Sequence, residues 1–253
     1  MDLKEWWPWY DKIIKTFGYD PSQDQYATDL LSKLLDCIAV PLSQLKILIA
    51  GKPVLVFGAG PSLEENIRQL LEYSALDNFV LISADGATSA LLEIAKKAPE
   101  IVVTDLDGRI GDLFKANAAG ALMAVHGHGN NIPLLKRYVP KLGEIVGTTQ
   151  AEPRPNVYNF GGFTDGDRAV FLSIEMGARI VVLAGMDFGQ EIGRYSKRKV
   201  RSLEVKRLKL KIGRELLEWL SGMTATPLYN LSTHGEKIVG VNNIASEEIF
   251  TVI

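Results

Sequence analysis

The segment Val102-Val-Thr-Asp105-Leu106-Asp107-Gly108 closes an apolar run on two carboxylates separated by one residue. In extended backbone such a pair points the same way, with Cα atoms roughly 6.5–7 Å apart. Carboxylates this close repel one another unless a cation or a proton compensates. Mg²⁺ typically takes one or two carboxylates together with substrate phosphate. Asp105 and Asp107 are therefore the candidate metal ligands and catalytic acids.

Further candidates follow other apolar runs. Val54-Leu-Val-Phe-Gly58-Ala-Gly60-Pro61-Ser62 is a glycine-rich turn before a helical stretch, where backbone N–H groups and the helix dipole favour phosphate. Leu63 stands where a dinucleotide fingerprint has its third glycine, and a tight turn capped by Ser62 is the structural alternative. Ser83-Ala-Asp85-Gly86 offers an acid for a ribose hydroxyl, or a helix cap. Val125-His126-Gly-His128-Gly-Asn-Asn131 is read as a glycine-rich loop with little bulk to bury its histidines. Hydrogen bonding to phosphate or a heterocycle suits it better than zinc, which lacks a third ligand there. Phe163-Thr164-Asp165-Gly-Asp167 has the spacing of a helix cap between Thr164 and Asp167, leaving Asp165 to face a ligand. Leu183-Ala-Gly-Met-Asp187 ends one more run on an acid. Hydrolase elbows, Walker-type loops and zincin helices are missing from the sequence.

Elements must hold these residues. Val54–Phe57, Phe79–Ala84, Ile101–Thr104, Gly120–Val125, Glu144–Val146 and Arg179–Ala184 read as strands. Helical stretches lie at Leu63–Tyr73, Thr88–Lys97, Asn131–Tyr138 and Asp165–Met176. Near-continuous apolar strands alternating with helices predict a doubly wound, mostly parallel Rossmann-like α/β sheet, with ligands at the carboxyl ends of its strands. Residues 1–50 read as a helical N-terminal arm broken at Pro8, Gly18, Pro21 and Pro41, and 51–253 as the α/β catalytic domain. Trp6, Trp7 and Trp9 are expected to dock the arm. Cys37, the one cysteine, is expected in the core. Ten basic residues lie between Arg194 and Arg214. Val205, Leu208, Ile212, Leu216 and Trp219 give that region the spacing of an amphipathic helix with a basic face. A strand at Pro227–Leu231 closes the pattern.

Hydrophobic residues form 47% of the 253, charged residues 23%, and the net charge is −2. That balance provides no global field for nucleic acid. The N-terminus has no signal-peptide pattern and no apolar run approaches a membrane span, so the cytoplasm is expected, with no membrane partner. A homo-oligomer is compatible with the sequence, which leaves the assembly state open.

Taken in order, several blocks resemble the archaeal 6-hydroxymethyl-7,8-dihydropterin pyrophosphokinases (the MptE-like family) over about residues 53–220. They are Phe57-Gly-Ala-Gly-Pro-Ser-Leu, Ala84-Asp-Gly-Ala, Val103-Thr-Asp-Leu-Asp-Gly, His126-x-His-Gly-x-Asn, Phe163-Thr-Asp-Gly-Asp-Arg-Ala and Leu183-Ala-Gly-Met-Asp-Phe-Gly. A fainter similarity links Asp85-Gly86, Asp105/Asp107 and Thr164-Asp165 to thiamine pyrophosphokinases. The resemblance implies Mg²⁺-dependent transfer of diphosphate from ATP to a reduced pterin, releasing AMP, for folate or tetrahydromethanopterin synthesis. Gly58, Gly60, Pro61, Ser62, Asp85 and Gly86 would then lie by the nucleotide; His126, His128, Asn131, Thr164 and Asp187 would lie by the pterin. Two positions depart from the family pattern: Asn130 stands where an acid is expected, and Gly127 where alanine is usual. The competing readings are an NAD(P)- or S-adenosylmethionine-dependent enzyme, a glycosyl-phosphate transferase, and a non-catalytic nucleotide-binding module.

Overall fold

A computed structural model describes residues 2–189, 191–196 and 202–253. Three helices open the chain: α1 (Leu3–Phe17), α2 (Pro21–Leu35) and α3 (Leu42–Ile49). Gly18 ends α1 in the left-handed region at φ 63°, and Pro21 opens α2 after the Asp20 cap. Pro41 precedes α3 as its N-cap. Pro8, expected to break the chain, instead lies inside α1. It is exposed near the helix start and removes one backbone donor, while Trp6, Tyr10 and Ile13 are buried and hold the helix down. Each such fully buried side chain contributes about 1.5–3 kcal/mol.

The alternating part follows as β1 (Pro53–Phe57), α4 (Leu63–Glu72), β2 (Val80–Ala84), α5 (Asp85–Ala90), β3 (Ile101–Thr104) and α6 (Ile110–Ala118). It continues with β4 (Leu122–Gly127), α7 (Ile132–Tyr138), β5 (Ile145–Thr149), β6 (Val157–Tyr158), α8 (Asp165–Glu175) and β7 (Ile180–Ala184). After α9 (Leu203–Ser221) come the short strands β8 (Leu228–Asn230) and β9 (Asn242–Asn243). α5 runs on as a π-helical turn, Leu91–Ala95, that Lys96 ends at φ 53°. Three of these elements, α6, β6 and β9, go beyond the sequence reading.

All strands are parallel, in the order β6-β5-β4-β3-β2-β1-β7-β8-β9. This is the expected doubly wound α/β fold. Alternation sends Val54, Val56, Val103 and Leu183 to one face, under α1, α3, α8 and α9. Leu55, Phe57 and Val182 meet α4 on the other face, and Val102, Met123 and Val125 meet α2, α6 and α7 there. Because β1 feeds α4 and β7 feeds α9, neighbouring strands send their connections to opposite faces, which opens a crevice at their carboxyl ends.

Trp6 is fully buried and its indole N–H donates to the Gln150 carbonyl at 2.8 Å, while Trp9 lies 5.7 Å from Trp219. The tryptophans dock the arm, as expected. Cys37 is exposed, not in the core. α2 ends at Leu35, after Leu31 and Leu35 have taken its buried face, so Cys37 falls in the turn beyond. Along α9 the apolar stripe is buried only from Ile212 onward; Val205 and Leu208 are exposed. Among the described residues, no helix is long and apolar enough to cross a membrane.

Candidate active site

Parallel strands place every strand-end motif on one edge of the sheet. Pairing of Ala84 with Val103 and of Thr104 with Val125 brings the residues after β2, β3 and β4 side by side. α8 packs under β1, β2 and β3 and starts at the same edge. One carboxylate oxygen each from Asp85, Asp105 and Asp165 then lies within 4.8 Å of the other two. Asp85 is buried and the other two are half-buried. Asp85 is the first residue of α5, with Ala84 at the N-cap. Gly108 makes the grouping sterically possible, since a Cβ there would stand 1.8 Å from Asp85 Oδ1.

Asp107 takes a different place from its neighbour. β3 stops at Thr104, whose hydroxyl accepts from Leu106 N–H at 2.8 Å, and Leu106 turns the chain at φ 66°. The extended geometry that would align Asp105 with Asp107 therefore ends between them. Asp107 is exposed, and the acids that converge on Asp105 come from the starts of α5 and α8 instead.

The histidine segment is more buried than its glycines suggested. β4 runs through Gly127, so His126 is a strand residue only 3% exposed. Arg168, itself 2% exposed, lies against it, with Nε 3.1 Å from Nδ1 and Nη2 3.0 Å from Nε2. Burial, and then this guanidinium, hold the His126 imidazole well below its ordinary pKa, so the ring is neutral at pH 7. His128 is half-buried, its Nε2 3.4 Å from Asp105 Oδ2. Asn131 knits the loop together: its amide donates to Asp105 O at 2.9 Å and to His126 O at 2.7 Å, and its oxygen accepts from His128 N–H at 3.0 Å. Thr164 and Asp167 form the expected cap, with Asp167 accepting from Phe163 N–H and Thr164 N–H at 2.7 Å each and from the Thr164 hydroxyl.

The Gly58–Ser62 turn packs on the loop after β7. A Cβ on Gly58 would stand 2.4 Å from Met186 Sδ, and one on Gly60 2.1 Å from Asp187 Oδ2. Gly58 N–H donates to Ala184 O and Gly60 N–H to Gly185 O, each at 2.8 Å. Ser62 N–H donates to Asp187 Oδ2 at 3.1 Å, with no side-chain cap on α4. The glycines thus let two loops meet. Pro61 lies in that turn, and a Cβ on Gly86 would stand 2.2 Å from Tyr195 O and 3.5 Å from the Ala59 methyl of the turn.

A cavity of about 120 Å³ adjoins the acids, lined by Asp105 and Asp165 together with Tyr19, Gln150, Phe163 and Lys209. His126, His128 and Thr164 also face it. The basic residues of 194–214 are spread around the molecule. Arg194 pairs with Glu64 at 3.4 Å and Arg214 with Glu218 at 3.7 Å. Arg207 and Lys211 line a second, larger hollow with Phe188. Lys197, Arg198, Lys199 and Arg201 lie outside the described residues.

Residues 30–193 match the family model described as 6-hydroxymethylpterin diphosphokinase MptE-like. The chain belongs to the MptE-like family. Among its relatives, the 6-hydroxymethyl-7,8-dihydropterin pyrophosphokinase of Pyrococcus furiosus is 46% identical, the match covering 87% of this chain and 94% of the relative. Proteins of the same name from Methanothermobacter thermautotrophicus and Methanocaldococcus jannaschii are 45% and 40% identical, over 87% of this chain and 95% and 96% of theirs. A solved structure, the MAf glycosyltransferase from Magnetospirillum magneticum AMB-1, superposes with a TM-score of 0.58 at 16% identity. It covers 90% of this chain, which spans 39% of that one, and the likeness is one of fold.

In this MptE-like chain four side chains at the site were not singled out from the sequence. Arg168 stands inside a quoted block, but nothing in its spacing showed that it would back His126. Asp24 of α2 accepts from Gly129 N–H at 2.8 Å, Gln150 Nε2 at 2.7 Å and Tyr10 Oη at 3.0 Å. Its helical context carried no such signal. Tyr19 and Lys209 come from the arm and from α9, distant in sequence from the strand-end motifs.

Proposed function

We propose that this protein transfers the terminal diphosphate of ATP to the hydroxymethyl oxygen of 6-hydroxymethyl-7,8-dihydropterin, releasing AMP, with Mg²⁺ as the required ion. The observation that supports this best is the convergence of Asp85, Asp105 and Asp165 from three elements onto a point beside a cavity. The donor set fits the ion. It is all carboxylate oxygen, the hard donor type Mg²⁺ prefers. Bound there, Mg²⁺ would neutralise phosphate oxygens as charge shifts toward the departing AMP.

The protein's own groups would position the reactants. Asp85, Asp105 and Asp165 would hold the ion, and exposed Asp107 lies two residues beyond Asp105. The donor nucleotide lies along Gly58, Gly60, Pro61, Ser62 and Gly86, next to Asp85. His126, His128, Asn131 and Thr164 shape the acceptor side, His128 directly and buried Asn131 by holding its loop, whereas Asp187, read from sequence as a pterin residue, holds the nucleotide turn through Ser62 N–H. Attack at phosphorus leaves little covalent chemistry for side chains, so positioning and charge carry the rate. The product would enter folate or tetrahydromethanopterin synthesis.

Incubation with ATP, MgCl₂ and the dihydropterin alcohol tests this reading. AMP and the pterin diphosphate are expected in equal amounts. EDTA should stop the reaction, and Asp105→Asn or Asp165→Asn should lower kcat by at least about a hundredfold. ADP as product, or turnover indifferent to EDTA, would reject the proposal.

A further inference from the structure

The cavity beside the acids has walls of distinct chemistry. On one side Phe163 lies 5.2 Å from Phe17, whose ring stacks at 5.3 Å and 17° on Tyr19. Lys209 Nζ sits 5.9 Å from the Tyr19 ring and 5.6 Å from that of Phe163, tying the arm, the α8 approach and α9 together. The imidazoles of His126 and His128, nearly parallel at 26° and 5.7 Å apart, add two more flat groups. Such surroundings suit a planar heterocycle.

Gln150 supplies an edge-reading group. Its Nε2 donates to Asp24 Oδ2 at 2.7 Å. An ionised carboxylate only accepts, so Asp24 fixes which end of the amide faces it. The Tyr10 hydroxyl and Gly129 N–H hold Asp24 in turn. With one amide hydrogen engaged by Asp24, buried Gln150 keeps its acceptor, Oε1, for a ligand in the cavity that it lines. A 2-amino-4-oxopteridine presents N–H donors along the edge remote from its hydroxymethyl group. Asp105 and Asp165 line the same cavity, where that hydroxymethyl has to meet phosphate.

We infer that this cavity is the acceptor subsite: Phe163 and Tyr19 take the pteridine face, and Gln150 Oε1 accepts from its 2-amino edge. The inference rests on the diphosphate-transfer reading for its ligand and adds the residues that select it. Asp24 is a positioning residue that acts through Gln150. The 1–50 segment thereby contributes to substrate choice through Tyr19 directly and Asp24 indirectly.

Binding of the fluorescent alcohol 6-hydroxymethylpterin to the full chain without ATP tests the subsite, with the 2-oxo analogue 6-hydroxymethyllumazine as comparison. The wild type should prefer the pterin by about tenfold, and Gln150→Leu should abolish that preference by weakening pterin alone. Phe163→Ala should weaken both ligands about tenfold or more and leave ATP binding unchanged. Should Phe163→Ala fail to fold by circular dichroism, Tyr19→Ala carries the same expectation. Pterin affinity within twofold of wild type in these variants overturns the subsite, as does equal weakening of pterin and ATP. A wild type that binds pterin in this pattern but forms no AMP sinks the transfer reading and leaves the subsite standing. Normal AMP formation with unaffected variants sinks the subsite alone.

Discussion

Asp187 puts a carboxylate where only 3% of the residue is exposed and spends both oxygens on backbone donors, Ser62 N–H and His234 N–H, at 3.1 Å each. Burial raises its pKa, and the hydrogen bonds from Ser62 and His234 only partly oppose that rise. A raised folded pKa means stability that is complete below the unfolded value of 3.8 and is lost as pH rises through the folded one. Asp187→Asn removes that titration but turns an NH₂ toward one of the two donors, an expected loss of about 1–3 kcal/mol. Urea titrations across pH should show the wild type's advantage over the variant shrinking from acid toward neutral pH. A constant difference would mean that Asp187 titrates normally. From sequence, Asp187 was legible as a strand-end acid, but not as the clasp between two loops, because that depends on β7 lying beside β1. The metal cluster divides the same way. Each acid was visible at the end of a strand or the start of a helix, and the family resemblance added a role for each. That Asp105 meets Asp85 and Asp165 was not visible, because it requires the strand order and the left-handed turn at Leu106.

At the scale of elements, α2 is tied to the site edge through buried polar side chains, Asp24 foremost. Asp24 accepts from Tyr10 in α1, Gln150 after β5 and Gly129 after β4, and the Thr28 hydroxyl lies 2.6 Å from that of Thr149. Asp24→Ala would leave three donors without their acceptor, for an expected cost of about 3 kcal/mol. Asp29→Ala, five residues along α2, breaks a partly exposed pair with Arg154 and a hydrogen bond from Gln25 on the same helix, and should leave the urea midpoint nearly unchanged. If both variants unfold at the wild-type midpoint, the arm is not anchored through Asp24. The periodicity that announced α2 could not rank these two aspartates, since both fit a helix and differ only in what packs against them. For the same reason the sequence showed most strands to within a residue or two but misplaced His126 in a loop. At two residues each, β6 and β9 are too short to show the run that betrays a strand, and β4 continues past Val125 because β5 pairs with His126 and Gly127.

Over the whole molecule, the nine-stranded sheet buries both faces, and the first 50 residues supply cover to each. α1 and α3 place Trp6, Ile13, Leu45 and Ile49 over Val54, Val56 and Val103. α2 lays Ala27, Leu31 and Leu35 over Val102, Met123 and Val125 on the opposite side. A sheet of parallel strands has apolar side chains on both surfaces and tolerates water on neither. Removing 1–50 would therefore uncover apolar surface on two faces at once, and would also take Tyr19 from the cavity and Asp24 from behind Gln150. The 51–253 fragment is expected to lose its cooperative melt and to bind a hydrophobic dye, as in a compact state without fixed packing. Calorimetry and dye fluorescence on that fragment, beside the full chain, decide the point. A sharp endotherm with no dye binding would mean that 51–253 is a domain in its own right, and that the N-terminal helices only complete the acceptor side of the site.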